Sequence, residues 1–228
     1  MSAPSRGDKR VAVMQPYLYP YAGYFRLFAA VDEFVIFDCV QFPRRGRVHR
    51  CEIPGLNGSV EWLTLPLARQ PTNVLIRDLA FAPDARAQFD RRLARHHWIE
   101  NGSGPAAERV RAHLSAPLES VIDYLTDGLR LVAGLLGFGV TIRHSTALDL
   151  DATLRGQDRV IAAAAAVGAT QYVNAPGGRD LYDADVFARH GIELSFLPPY
   201  HGPYAHLLPA LLADSPGAIR EDVLAAQC

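Results

Sequence analysis

The sequence predicts an α/β fold: a mostly parallel sheet with flanking helices, an antiparallel hairpin excursion and an added helical layer. Three observations carry this. Short apolar runs of strand character alternate with helix-period segments at both ends of the chain. Polar residues and prolines cluster where those runs stop, as at Gln15-Pro16, Asp38 and Asn174-Ala175-Pro176. Between the two alternating parts, residues 83–140 read as helix throughout. At 228 residues the chain fits one domain, 1–228, with residues 1–10 and 215–228 expected to be flexible and 83–140 forming a helical insertion or layer.

Residues 10–14, rich in Val, Ala and Met, form a buried strand closed by proline. Pro16 and Pro20 keep Gln15 and Tyr19 out of helical geometry, which makes 15–20 an extended loop. Tyr24, Leu27, Phe28 and Val31 then recur at helical spacing over 21–31, and 33–37 is a second buried strand with Asp38 at its carboxyl end. A β-loop-α-β unit of this kind implies parallel pairing and a right-handed crossover. An Asn57-Gly58 turn between strand-like flanks predicts a hairpin, and 74–81 adds a further strand. Helices are expected over 84–98, 105–114 and 117–136, the last opening on a proline tolerated in the first turn. The closing part gives a strand at 141–144, a helix at 156–167, a strand at 171–173, a loop at 174–178, a helix at 183–190 and a strand at 192–197. A Pro-rich aromatic loop, 198–204, and a short helix over 206–213 end the ordered chain.

Composition excludes several classes. The formal net charge of −1 gives no global attraction to nucleic acid or an anionic membrane, so any basic site is local. Three cysteines, Cys39, Cys51 and Cys228, are odd in number and lack metal-ligand spacing, which points away from a disulfide framework and from a metal site. The longest apolar helical stretch, 118–140, carries Glu119, Asp123, Asp127 and Arg130 and is not expected to span a bilayer. A cytoplasmic protein without a membrane span follows as the expectation.

In an open α/β sheet, ligands lie beyond the carboxyl ends of the strands. The loops 15–20, 38–45 and 174–179 all meet that description. Within them Gln15 offers an amide, Tyr17 a ring to stack on a substrate, and Asp38 either a general base or a loop cap. Gln41, Arg45 and Arg50 suit a phosphate, because guanidinium groups meet phosphate oxygens in pairs; Arg44 and Arg47 fit a solvated basic loop equally well. Gly177 and Gly178 allow close backbone approach to a ligand or a plain turn. His201 is the histidine best suited to acid or base chemistry, and Trp62 is placed to pack on a ring.

The run Gln15-Pro16-Tyr17-Leu18, with Pro20, Gly23-Tyr24-Phe25, Asp32, Phe34-Val35, Asp38, Val40-Gln41-Phe42, Arg45, Arg50 and Trp62-Leu63-Thr64, resembles the WbqC-like family of bacterial proteins. The likeness continues more faintly through Gly168-Ala169, Gly177-Gly178, Leu181-Tyr182, Phe187, Gly191-Ile192 and Tyr200-His201. It implies a role in surface-polysaccharide or O-antigen biosynthesis. The implied activity is transfer of a small acyl or glycyl-type group onto a nucleotide-linked amino sugar or related amine, with a phosphate-bearing small molecule as partner and no cofactor specified. On that reading Asp38 or His201 takes the amine proton, Arg45 and Arg50 neutralise phosphate, and Tyr17 and Trp62 pack on the ring. Family members usually carry histidine where this chain has Met14, asparagine where it has His49, and a longer aromatic segment after Tyr204. The early layout is also similar to the pantothenate synthetase-like nucleotidylyltransferases, without their histidine motif, which implies an adenylate-forming alternative. Ligand binding without catalysis is the third.

Overall fold

The structure, a computed structural model, describes residues 7–55, 58–213 and 215–225. Its centre is a five-stranded parallel sheet built from β1 (Arg10–Met14), β2 (Glu33–Ile36), β5 (Thr141–His144), β6 (Gln171–Asn174) and β7 (Glu193–Phe196). Spatial order is β5-β2-β1-β6-β7. The chain thus builds outward from β1 in one direction, returns across the sheet, and builds outward on the other side.

Right-handed crossovers in opposite directions put helices on opposite faces, and the two apolar cores follow that rule. Ala12, Phe34, Ile36 and Val173 point to the face covered by α1 (Ala22–Ala30) and the helical layer. Val11, Val13, Val35 and Tyr172 point to the other, beneath α6 (Gly156–Ala166) and α7 (Ala184–Arg189). Because β1 and β2 are covered on both faces they read as continuous apolar runs rather than alternating ones. Full burial of side chains such as Phe25, Phe34 and Leu27 contributes about 1.5–3 kcal/mol each.

The hairpin excursion is a separate antiparallel pair, β3 (Arg50–Pro54) with β4 (Val60–Thr64), in the register Arg50↔Thr64 to Pro54↔Val60. Of its turn, Leu56 and Asn57 lie outside the described residues. The helical layer comprises α2 (Ala85–Leu93), α3 (Trp98–Asn101), α4 (Pro105–Leu114) and α5 (Val121–Leu135). The chain ends in α8 (Leu207–Ala213) and α9 (Pro216–Ala225).

Four local expectations are corrected. Residues 74–81 are not a strand: Leu75 bridges Gln41, Phe81 bridges Leu67, and the 3-10 turn Ile76–Asp78 swings the chain between those two partners. The helix expected over 84–98 breaks in two, because the turn after α2 buries His96 to 5 % exposure before α3 begins. α5 starts four residues after Pro117, where the Ser120 hydroxyl accepts from the Asp123 N–H at 3.3 Å and caps the helix. After residue 214, where fraying was expected, α9 buries Ile219 and Val223 and packs on α1. Residues 1–6 and 226–228, Cys228 among them, lie outside the described residues.

Candidate functional site

Strand order reverses between β1 and β6, and a cleft of about 490 Å³ opens at their carboxyl ends. From β1 come Val13 and Met14; from the following loop and α1, Gln15, Tyr17, Tyr21 and Tyr24. The opposite wall is Asn174, Gly177, Gly178, Leu181 and Tyr182, and Arg47 and Phe37 complete it. Residues about 160 apart in sequence meet here because β1 pairs with β6, Arg10 opposite Gln171 and Val11 opposite Tyr172.

Each wall is held from behind. The buried Tyr24 hydroxyl donates to the Gln15 carbonyl at 2.7 Å, fixing the backbone at the strand end. The Gln15 side-chain amide has no hydrogen bond among the described residues and is half-buried in the wall, so it faces any occupant with both donor and acceptor. Tyr19 carries φ of 37°, the one non-glycine residue in the left-handed region among those described. That strained backbone is held by a buried hydrogen bond of 2.8 Å between the Tyr19 hydroxyl and Nδ1 of His113 on α4, whose Nε2 lies 3.0 Å from the Tyr124 carbonyl. The carbonyl can only accept, so Nε2 carries the proton and Nδ1 accepts from Tyr19.

On the far wall the 3-10 turn Pro176–Leu181 replaces the expected loop. Asn174, 4 % exposed, accepts the Ala175 N–H at 2.7 Å, and the Tyr182 ring stands edge-on to Tyr172 with centroids 5.9 Å apart. A Cβ on Gly178 would stand 2.4 Å from Nδ2 of Asn174, which makes glycine a requirement of this close approach. Gly177 is exposed, and a Cβ on it would meet nothing within 4 Å. Tyr21 packs against Tyr200, with ring centroids 5.9 Å apart, and Tyr200 is anchored through its hydroxyl to Asp222 of α9 at 2.5 Å.

Electrostatically the cleft is a neutral aromatic chamber with one cation. Burial raises the Tyr17 and Tyr21 phenols even though Arg47 pulls both the other way, so they stay protonated near neutrality. Arg47 is positioned by Glu52 at 2.8 Å and by the Trp62 ring at 5.2 Å. No carboxylate, histidine or cysteine is among the lining side chains.

Of the residues singled out from the sequence, Gln15, Tyr17, Gly177 and Gly178 come together in the cleft. The others do not line it. Asp38 is 1 % exposed, and its carboxylate accepts from Ser145 Oγ at 2.7 Å, Thr146 N at 3.0 Å, Thr146 Oγ1 at 2.8 Å and His144 Nδ1 at 2.9 Å. Burial pushes this carboxyl up, but the bonds from His144, Ser145 and Thr146 more than offset it and hold it below its ordinary value. The geometry is that of a clamp between the ends of β2 and β5. Gln41 Nε2 donates to the Thr72 carbonyl at 2.8 Å. Arg50 donates to the Gly46 and Arg45 carbonyls at 3.0 and 2.6 Å and stacks 4.2 Å over Trp62, so its fork is engaged by the hairpin. Arg45 and His201 are exposed, with no side-chain hydrogen bond among the described residues. Arg47, Asn174, Tyr21 and Tyr182 line the cleft without having been singled out as site residues; the sequence leaves Arg47 balanced between an anion site and a solvated loop, offers Tyr21 as one of several tyrosines able to stack, and marks Asn174 as a polar strand end.

A parallel sheet with helices on both faces and an aromatic, singly cationic cleft at its switch point places the chain among the doubly wound α/β proteins. Comparison with known proteins narrows the class. The model of the WbqC-like protein family matches residues 15–210, and the chain belongs to that family. A similar protein, "Uncharacterized protein Rv1507c" of Mycobacterium tuberculosis (strain ATCC 25618 / H37Rv), is 25% identical over 205 residues, covering 82% of this chain and 81% of the relative. No solved structure matches. Among the described residues no helix is long and apolar enough to cross a membrane, and no group of His, Cys, Asp or Glu could hold a metal ion.

Proposed function

We propose that the protein binds a phosphate-bearing small molecule, a nucleotide-linked amino sugar in the first instance, in the switch-point cleft and transfers a small acyl or aminoacyl group onto its amine, as surface-polysaccharide biosynthesis requires. The observation that carries this is the juxtaposition of the free Gln15 amide, the Tyr17 and Tyr21 rings and the Arg47 guanidinium around one cleft. Rings supply stacking area for a sugar or base, the amide fixes a hydroxyl or carbonyl, and the guanidinium suits a phosphate.

With no carboxylate or imidazole lining the cleft, the reading assigns catalysis to positioning. The neutral amine attacks the carbonyl of an activated acyl donor, the bond to the leaving group breaks, and the amine proton passes to that leaving group or to water. Arg47 takes the phosphate-binding role that the sequence suggested for Arg45 and Arg50. The same lack of an acid or base favours a second reading, ligand binding without chemistry.

Calorimetry with uridine-diphosphate amino sugars tests the binding. Wild-type protein is expected to bind and Arg47→Ala to bind at least tenfold more weakly, since a charge-assisted contact is worth about 1.5–3 kcal/mol. Equal affinity in the two proteins, or none in folded wild type, refutes it. Product analysis with an activated glycyl donor then separates transfer from binding alone, and ATP-dependent pyrophosphate release would select the adenylate-forming alternative.

A further inference from the structure

The loop that carries Arg47 into the cleft has a second side. Phe42, Arg44 and His49 from this loop, with Leu65 and Arg69 after β4 and Arg92 from α2, line a separate, open cavity of about 330 Å³. A second depression adjoins it, sharing Arg44, Arg69 and Gln70. None of the residues lining this cavity lines the switch-point cleft.

Its charge is unbalanced. Three arginines line it and no carboxylate does, and none of the three forms an ion pair among the described residues. Arg44 donates to the Gln70 carbonyl at 2.6 Å. Arg92 donates to the Thr64 carbonyl and, at 3.4 Å, to the Gln88 side-chain oxygen. Gln88 in turn donates to Asp84 at 2.6 Å, so the nearest acid acts at one remove through an amide. The Arg69 side chain has no hydrogen bond among the described residues and is exposed. His49 adds a buried Nδ1 with no hydrogen-bond partner in the described structure. Burial, Arg50 and Arg92 push this imidazole down to about 4, so near neutrality it is an uncharged group with one donor and one acceptor.

Positive charge held together without carboxylates raises the local potential and favours an oxyanion, while Phe42 and Leu65 add apolar area beside it. We infer that this cavity is a second ligand site, one that takes the phosphate or diphosphate end of an organic phosphate through Arg44, Arg69 and Arg92. All three arginines keep their planar forks free of protein carboxylates, and a guanidinium fork meets phosphate oxygens in pairs. Because residues 42–49 wall both cavities, an occupant here stands one loop away from the occupant of the cleft.

The test uses the full chain and inorganic pyrophosphate as probe, followed by calorimetry at low and moderate salt. Wild type and Arg47→Ala are expected to bind it alike, whereas Arg44→Ala combined with Arg69→Ala lowers affinity at least tenfold. Both replaced side chains are exposed, so the doubly substituted protein is expected to keep its circular dichroism spectrum and urea midpoint, and Arg69→Glu alone provides a charge reversal of the same site. Loss of binding in Arg47→Ala with retention in the double variant would place pyrophosphate in the cleft and overturn the inference. So would equal affinity in all three proteins, or no binding to wild type. Failure of the nucleotide-sugar measurement on Arg47 leaves this outcome unaffected, because the two sites share no side chain.

Discussion

Asp38→Ala should unfold the protein more easily while leaving the cleft's chemistry alone. The carboxylate accepts four hydrogen bonds of 2.7 to 3.0 Å from Ser145, Thr146 and His144, and it joins the end of β2 to the turn after β5. Ser145 Oγ also accepts the N–H groups of Asp38 and Cys39 at 3.1 and 3.2 Å, so the hydroxyl has a backbone role that loses its anchor. Alanine leaves the Thr146 N–H and two hydroxyl protons without an acceptor, at about 1–3 kcal/mol for each buried group. The hydroxyls can rotate and water can reach His144, which is 24% exposed. The sum therefore comes to about 3–5 kcal/mol. With a urea dependence of about 2–3 kcal/mol/M, the unfolding midpoint falls by about 1–2 M. Asp38→Asn should cost about half as much, because the amide oxygen keeps accepting and Thr146 Oγ1 can reverse its role and accept from the amide nitrogen. Urea titration followed by circular dichroism at 25 °C measures both. A midpoint unchanged in both variants, together with lost transfer activity, would refute the clamp and return Asp38 to the chemistry.

Two further outcomes follow from the same geometry. Gly178→Ala places a Cβ 2.4 Å from Asn174 Nδ2 and should displace Asn174 and Tyr182, weakening nucleotide-sugar binding more than it lowers the melting temperature; ligand affinity equal to wild type would count against the close approach. Stability should also fall on mild acidification. Burial lowers His49 to about 4 and His113 below its ordinary 6.5, so below pH 6.5 the unfolded chain binds protons that the folded one does not. Their contribution is complete above 6.5 and declines as pH drops toward 4 for His49. Asp38 and Glu33, both held below their ordinary values of 3.8 and 4.5, add a further loss once the pH falls below those values. Urea midpoints at pH 7.5, 6 and 5 should decrease in that order, and the decrease should be shallower in His49→Gln; a flat or rising series would refute the assignment.

The legible part of this fold is the part written in local periodicity. β5 occupies residues 141–144 as expected, and α4, α6, β6 and β7 fall within a residue or two of their expected bounds. α9 was missed because only Ile219 and Val223 mark its buried face, too sparse a stripe to distinguish from a frayed end without the α1 surface it covers.

The sequence alone determined that strand ends carry the polar residues, and hence which loops meet at the carboxyl edge of the sheet; Gln15, Tyr17, Gly177 and Gly178 line the cleft there for that reason. Only the tertiary structure decided which of the remaining polar groups face it. Asp38, Gln41 and Arg50 sit at plausible positions along the chain, yet each is turned to a partner: Ser145, Thr146 and His144, the Thr72 carbonyl, and the Gly46 and Arg45 carbonyls. Arg47, which the sequence leaves open between an anion site and a solvated loop, is held in the wall by Glu52 and Trp62. Strand periodicity is a property of neighbours two residues apart, whereas the direction of a long polar side chain depends on which acceptor the folded chain brings within 3 Å. For the switch-point cleft, that was decided by the pairing of β1 with β6.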